Sequence, residues 1–91
     1  MVREEVIIRN RAGLHAKPAS LFVQKSNQFV SEIYIVKDEV RVNAKSIMGI
    51  MILGVHQGDA IVIETSGDDE QEAAAALKEL VDNNFGLADE G

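Results

Sequence analysis

The sequence contains no cysteine, a single proline and no long hydrophobic run. The lack of cysteine excludes a disulfide framework and a thiolate metal site, and it suits a cytoplasmic protein. The longest nearly apolar run, IMGIMILGV, is too short to cross a bilayer, and the first residues, MVREEVIIRN, lack the apolar segment of a signal peptide. We therefore expect a cytoplasmic protein that does not insert into a membrane.

Positive charge is also scarce, because nine Lys and Arg residues face fifteen Asp and Glu residues and the net charge is −6 at pH 7. Without a basic stripe, direct binding of nucleic acid or of anionic lipid is not expected, and a basic or mixed-charge protein surface is the better candidate for a partner. The chain has 91 residues, of which 46% are hydrophobic and 26% are charged. These values predict one globular domain over residues 1–91.

Hydrophobic periodicity predicts four strands and three helices in the order βαββαβα. Strands are predicted at residues 2–9, 32–37, 40–43 and 60–66, and helices at about residues 16–28, at 47–53 and from Asp69 to Gly86, the last with a capping box between Asp69 and Glu72. This order favours an α+β fold, in which one four-stranded antiparallel sheet packs its helices on one face and leaves the other solvated. The chain ends in a short acidic tail, LADEG.

The stretch NRAGLHAKPAS places His15 between Gly13 and the start of the first predicted helix. Gly13 permits a positive φ that would hold the imidazole over the helix start, where the backbone amides of Ala16 and Lys17 lack intrahelical partners. Such amides attract phosphate, and the charge of Lys17 would complete the site. Because a neutral imidazole can attack phosphorus, the stretch indicates a phosphoryl acceptor. The alternatives are a loop histidine that only caps the helix and a lysine that is only a solvated surface charge.

The loop around His15 offers no obvious general base, and no carboxylates with metal-ligand spacing surround it. The sequence therefore predicts a carrier of phosphoryl groups rather than an enzyme, with no metal and no cofactor. The second histidine, His56, lies between Gly54 and Gly58 and is predicted to belong to a surface turn.

GLHAKPA at residues 13–19, together with NAKSIMGIMILG at residues 43–54, resembles the histidine-containing phosphocarrier (HPr) family of the bacterial sugar phosphotransferase system. The resemblance covers nearly the whole chain and implies an open-faced β-sandwich. It also implies that His15 takes a phosphoryl group on Nδ1 from phosphorylated Enzyme I, which is charged by phosphoenolpyruvate. His15 would then pass the group to enzyme IIA domains of sugar permeases.

The resemblance further implies a regulatory role for Ser46, since the chain carries the KSIMG version of the second motif. Ser46 would be phosphorylated by the ATP-dependent HPr kinase/phosphorylase, and the product would act as corepressor of the catabolite control protein. The alternative is that Ser46 is only the N-cap of the second helix. Two positions depart from the family pattern. Lys17 stands where arginine is usual, so that a point charge replaces a planar fork, and Ala12 stands where relatives often have a polar side chain.

The second predicted helix is apolar on nearly every side, so a helix on a surface layer cannot bury all of its side chains. Ile50 and Leu53 are predicted to be its buried pair. The family docks its partners beside His15, and we expect the partner-binding surface to comprise Ser20, Ile47, Met48 and Met51. The alternative is that every apolar residue of this helix belongs to the core.

Two other functions suit the same pattern. One is an HPr-like regulatory paralogue of the catabolite-repression type, which acts mainly through Ser46 and lacks an active histidine. His15 argues against it. The other is a small ligand-binding regulatory domain with the same order of elements, which would not need the GLHAKP motif.

Overall fold

The computed structural model describes residues 1–87 and has the predicted order of elements, βαββαβα. The strands are β1 (Val2–Ile7), β2 (Glu32–Lys37), β3 (Val40–Asn43) and β4 (Ala60–Ser66), and the helices are α1 (Ala16–Ser26), α2 (Ile47–Leu53) and α3 (Glu70–Asp82), followed by a 3₁₀ turn at Asn84–Gly86. β1 and α1 end slightly earlier than predicted. Of the predicted acidic tail, residues 88–91 lie outside the described residues.

The four strands form one antiparallel sheet in the order β1-β4-β2-β3. The last strand in sequence, β4, lies at the centre and pairs with β1 on one side and β2 on the other, for example Ile61 with Val6 and Ile63 with Ile35. This arrangement confirms the predicted sheet and pairs the first strand of the chain with the last.

A tight hairpin connects β2 to β3 without a glycine. Asp38 and Glu39 form its two-residue loop, and both have positive φ values, 51° and 69°. Positive φ at both positions is typical of a type I′ turn, whose backbone twist matches that of the paired strands. The predicted hairpin is confirmed, at a cost of roughly 1–2 kcal/mol for each non-glycine residue in this conformation.

Successive side chains of each strand point to opposite faces of the sheet. The inward-facing side chains contact helix residues in one buried cluster, which includes Val6, Ile33, Ile35, Ile61 and Ile63 from the strands and Phe22, Leu77 and Val81 from the helices. The opposite face mixes charged side chains with apolar ones such as Ile7 and Val62. There the nearly buried Glu64 accepts from Arg3 at 3.2 Å and from Arg41 at 3.0 Å, and the Arg41 guanidinium lies 3.6 Å from the centre of the Tyr34 ring. The predicted α+β fold with one open face is therefore confirmed.

The predicted capping box at the start of α3 is wrong. Asp69 occupies the N-cap position, but its side chain makes no capping hydrogen bond. Its carboxylate instead accepts from the backbone N–H groups of Val30 and Ser31, both at 3.0 Å, and from the Ser31 hydroxyl. Glu70 accepts from the backbone N–H of Gly67 at 3.1 Å. Asp69 thus joins the start of α3 to the loop before β2, because these donors compete successfully with the amides of its own helix.

The predicted continuation of α3 to Gly86 is also wrong, because the helix ends at Asp82. Asn84 and Phe85 have positive φ values of 52° and 60°, which interrupt the helix. Phe85 nevertheless belongs to the core, as the apolar periodicity predicts. Asn tolerates the left-handed conformation better than most residues, and the turn returns Phe85 to the buried cluster.

Asp69 gives a testable dependence of stability on pH. The Ser31 hydroxyl, followed by the Val30 N–H, holds the pKa of the Asp69 carboxyl below its usual value of 3.8. Because the folded pKa is lower than the unfolded one, the stabilisation is present above the unfolded pKa and is lost as pH falls through the folded value. We expect Asp69→Asn to lower the free energy of unfolding at neutral pH, with a difference from wild type that narrows below about pH 4.

Urea unfolding of both proteins between about pH 7 and pH 2 measures this difference. Asp68→Asn is the matched control, since Asp68 is the exposed neighbour in the same loop. A difference that stays constant over the whole pH range would contradict the proposed role of the Asp69 carboxylate.

Candidate functional site

The loop before α1 is fixed by hydrogen bonds on both sides. The buried Asn10 donates from its side-chain amide to the Gly13 carbonyl at 2.9 Å, and the Gly13 N–H donates to the Asn10 carbonyl at 3.2 Å. The next N–H, that of the fully buried Leu14, donates to the Val55 carbonyl at 3.1 Å. The segment before His15 is therefore held against the loop that follows α2.

Gly13 is required at this contact for two reasons. Its φ is +66°, as predicted, and a Cβ atom there would collide with the Val55 carbonyl oxygen and lie 2.9 Å from the Cα atom of His56. Both the backbone conformation and the close approach of the two loops therefore need glycine. The consequence is that the two histidine-bearing loops lie side by side.

His15 occupies the N-cap position of α1 in an extended conformation, with φ of −130° and ψ of 156°. It is half-buried, and its side chain makes no capping hydrogen bond. His15 therefore lies at the N-cap position without a side-chain capping bond, and its role as phosphoryl acceptor stays a prediction. The His15 imidazole lies at the helix start and accepts no hydrogen bond from the first amides of α1.

Ala16 and Lys17, the first two residues of α1, are exposed. Ala16 has a φ of +54° instead of a helical value, a feature that the sequence did not predict. The flanking Leu14 and Pro18 are both buried, so the chain must turn sharply within three residues. The left-handed conformation of Ala16, the residue next to His15, destabilises the folded chain by roughly 1–2 kcal/mol.

The charge around His15 favours an anion. The first turn of α1 contains no acidic residue, and no carboxylate within residues 1–87 forms an ion pair with Lys17. The positive end of the helix dipole lies at the same place. His15 and Lys17 both lie at the start of α1, and their joint role as a phosphoryl site stays a prediction.

A second imidazole lies at this site and was not predicted there. His56 is in a surface turn, as expected, and its side chain is 73% exposed. Its ring centre is 5.6 Å from that of His15, with an angle of 43° between the ring planes. The contact depends on the packing of Gly13 against the backbone of Val55 and His56, and the spacing between Gly54 and Gly58 is the one local signal of a tight turn.

Ser46 caps α2, as predicted. Its Oγ accepts from the backbone N–H of Gly49 at 3.1 Å, and Gly54 ends the helix in the left-handed conformation with φ of +68°. Ile50 and Leu53 are the buried residues of the helix, again as predicted. The alternative that all apolar residues of α2 belong to the core is therefore wrong.

The remaining apolar side chains of α2 face solvent. Ile47, Met48 and Met51, here called the α2 patch, are exposed, with Met48 at 66%. Ile52 is exposed to 74% and was not predicted to be, although it shares a helix face with Met48 at i, i+4 spacing. Ser20 is half-buried on α1, which contacts α2. The exposure of the α2 patch is confirmed, and the partner-binding role of these residues stays a prediction.

Neither a metal site nor a membrane span is found in the described part of the chain. Within residues 1–87, no three His, Cys, Asp or Glu side chains converge closely enough to hold a metal ion. Every helix in the same range is too short or too polar to cross a bilayer.

Comparison with known proteins shows sequence similarity over most of the chain. A sequence model of the PTS-HPr family, described as PTS HPr component phosphorylation site, matches residues 2–83. HPr-like protein Crh of Halalkalibacterium halodurans is 53% identical over 77 residues, which are 85% of this chain and 92% of that relative. Phosphocarrier protein HPr of Neisseria meningitidis is 44% identical over 86 residues, 94% of this chain and 97% of that relative.

The fold agrees with these matches. A crystal structure of HPr-C-His from Thermoanaerobacter tengcongensis superposes with a TM-score of 0.94 at 50% identity and covers 96% of this chain and 98% of that one. The resemblance carried by GLHAKPA and NAKSIMGIMILG is thereby confirmed. The chain belongs to the HPr family, the phosphocarrier proteins of the phosphotransferase system.

Proposed function

We propose that this protein accepts a phosphoryl group on His15 from phosphorylated Enzyme I and passes it to enzyme IIA domains, with no turnover of its own. One observation carries the proposal: the His15 imidazole stands at the start of α1 with no capping hydrogen bond, beside an exposed Lys17. Family membership supports the same function, since HPr proteins are phosphocarriers.

The chemistry follows from this placement. The neutral His15 imidazole attacks phosphorus through Nδ1, the nitrogen that the family resemblance implies, and the bond between phosphorus and the donor breaks as the new P–N bond forms. Lys17, the Ala16 amide and the positive end of α1 offset the charge of the phosphoryl group. Each helix-end interaction is worth only about 0.3–1 kcal/mol. Such modest stabilisation suits a carrier, which must release its group as readily as it accepts it.

Incubation with phosphoenolpyruvate and Enzyme I, followed by intact-mass measurement, tests the proposal. We expect one added phosphoryl group that is labile in acid and stable in alkali, as a phosphohistidine is, and that is lost when an enzyme IIA domain is added. An unchanged mass, or a group that is stable in acid, would contradict the assignment.

We further propose that Ser46 is a regulatory phosphorylation site for HPr kinase/phosphorylase, and that the product binds the catabolite control protein. Ser46 is half-buried at the start of α2, and its hydroxyl holds the Gly49 amide. A phosphate on this hydroxyl would lie at the capping bond of α2 and next to the α2 patch.

A Crh-like regulatory protein that acts mainly through Ser46 is the second candidate. The 53% identity to HPr-like protein Crh favours it. The same Enzyme I experiment separates the two functions, because only a phosphocarrier gains an acid-labile group on His15. Phosphorylation by the kinase alone would support the second candidate.

Lys17 gives a prediction for the transfer rate. We expect Lys17→Glu to slow phosphoryl transfer from Enzyme I by about tenfold or more, because a repulsion replaces an attraction next to the phosphoryl group. Lys17→Arg keeps the charge and should transfer at a rate close to that of wild type. Samples stopped at intervals and analysed by intact mass give the rates.

Lys25→Glu is the matched control, since Lys25 lies on the same helix but in its last turn. The two charge reversals change the net charge equally. If Lys17→Glu transfers at the same rate as Lys25→Glu, Lys17 does not act at the site.

A further inference from the structure

The structure brings both histidines of the chain together at one site, and the proposed function uses only one of them. The His15 and His56 ring centres are 5.6 Å apart. His56 comes from the loop after α2, whereas His15 begins α1. Their approach is fixed by backbone contacts, because Gly13 packs directly on the Val55 and His56 backbone.

The turn that carries His56 is held rigidly by Asp59. The His56 N–H donates to the Asp59 carboxylate at 2.8 Å, and the Asp59 N–H donates back to the His56 carbonyl at 3.0 Å. Lys37, on β2, reaches the same carboxylate at 3.1 Å and also donates to the Gly54 carbonyl at 2.9 Å. An exposed loop is thus braced against the sheet.

Asp59 also faces the His56 ring. The His56 Nδ1 atom lies 3.8 Å from the Asp59 carboxylate. The backbone N–H of His56, followed by the Lys37 ammonium, holds the pKa of the Asp59 carboxyl below its usual value, so the group is a carboxylate at neutral pH. The 3.8 Å separation exceeds hydrogen-bond distance, so the Asp59 carboxylate lies beside the His56 ring without bonding to it. The charged groups around the ring are then Asp59 and Lys37 on one side and the His15 site on the other.

We propose that His56 is a second phosphoryl-binding residue of the carrier site. Its imidazole donates a ring N–H to an oxygen of the phosphoryl group on His15, and Asp59 holds the backbone of the turn that carries the ring. The inference rests on the proposed function of His15. No covalent step involves His56, and the phosphoryl group stays bonded to His15 throughout.

The spacing and the chemistry of the site support this role. The ring centres are 5.6 Å apart, so the rings are near enough for an N–H of His56 to meet an oxygen of a phosphoryl group on His15 at the donor–acceptor distance of about 2.7–3.2 Å that a hydrogen bond requires. Lys17 supplies charge but no fixed direction, because an ammonium on a flexible stem is a point charge. His56, on a braced turn, supplies a directed donor that Lys17 cannot. Donors to a charged phosphate form strong, charge-assisted hydrogen bonds.

Two routes to the phosphorylated protein keep the test independent of Enzyme I. One uses phosphoenolpyruvate with Enzyme I, and the other uses phosphoramidate, which phosphorylates imidazole without a protein partner. If Enzyme I fails and phosphoramidate succeeds, the proposed function is contradicted while the product still tests His56. Both products are examined by NMR of the histidine ring nitrogens and by the rate at which the phosphoryl group is lost at neutral pH.

We expect phosphorylation of His15 to shift the ring nitrogen resonances of His56. We also expect His56→Ala to accept the group on His15 but to lose it about two- to tenfold faster than wild type. His56→Gln keeps an N–H donor and should recover part of the lifetime. Gln57→Ala is the matched control from the same exposed loop, and its phosphoryl group should persist as in wild type.

His56 is exposed and its backbone bonds do not depend on the ring, so the variants are expected to fold. Unchanged His56 resonances on phosphorylation, with equal lifetimes for wild type and His56→Ala, would overturn the proposal. A shortened lifetime that His56→Gln does not improve would also count against a donated hydrogen bond.

Discussion

His15→Ala is expected to abolish phosphorylation of this protein by phosphoenolpyruvate and Enzyme I. The imidazole is the nucleophile in the proposed transfer, and the neighbouring Lys17 and the helix amides can bind a phosphoryl group but cannot form a bond to it. The loss should therefore be complete, unlike the partial loss expected when Lys17 is reversed in charge. Intact mass after incubation, before and after acid treatment, measures the effect.

The matched control is the other imidazole of the site. His56→Ala should still gain an acid-labile group, even though the group is expected to be lost sooner. The fold of the His15 variant should survive, because the His15 side chain makes no capping hydrogen bond. Acid-labile phosphate on a folded His15→Ala protein would refute His15 as the acceptor.

The strands of the sheet could be predicted from the sequence. β2 and β4 were predictable as strands from their β-branched and aromatic content, but their continuous apolar runs do not identify the face on which Ile33, Ile35, Ile61 and Ile63 are buried. A shift of one residue would move all four isoleucines to the other face, so packing against the helices determines the register. The start of α1 was predictable too, since Gly13 permits the turn before it and Pro18 restricts the backbone of its first turn.

Contacts between segments distant in sequence could not be predicted in the same way. The spacing of Asp69 and Glu72 satisfies a capping box, yet the Asp69 carboxylate binds the loop at Val30 and Ser31. The approach of His56 to His15 is of the same kind. Each contact depends on how two loops pack, and no local sequence pattern identifies the residue that is contacted.

The α2 helix shows an intermediate case. Its seven residues make fewer than two turns of 3.6 residues each. In so short a helix the buried side is formed by one pair, Ile50 and Leu53, and this pair was predicted. The pattern does not determine which of the other side chains face solvent. Ile52 was therefore missed although it is among the most exposed apolar side chains of the described residues.

The position of Ser46 connects the capping of α2 with the exposed surface of the same helix. The hydroxyl that accepts from the Gly49 N–H belongs to the residue directly before the α2 patch. α2 also contacts α1, which begins at the phosphoryl site. A charge on Ser46 would thus enter the surface through which we expect Enzyme I to dock, without touching His15.

Ser46→Asp is expected to slow phosphoryl transfer from Enzyme I by about tenfold or more while leaving the fold intact. The helix dipole stabilises a carboxylate at a helix N-terminus by about 0.3–1 kcal/mol. The same charge beside the α2 patch opposes a partner whose pocket is apolar or acidic, and it favours one that offers Arg or Lys. Phosphorylation of Ser46 would therefore weaken binding of the first kind of partner and strengthen binding of the second. A phosphate would act more strongly, since it carries about −1.5 to −2 charges at pH 7.

Ser46→Ala separates this effect from the loss of the cap. It removes the hydrogen bond to Gly49 and should lower the free energy of unfolding by about 0.5–2 kcal/mol, but it should transfer from Enzyme I at a rate close to that of wild type. Both variants should be refused by HPr kinase/phosphorylase, because neither offers a hydroxyl. Transfer kinetics by intact mass, with circular dichroism to establish that each protein is folded, distinguish the two roles. If folded Ser46→Asp accepts phosphate from Enzyme I as fast as wild type, a charge at the α2 patch does not control docking, and Ser46 serves the helix only as its cap.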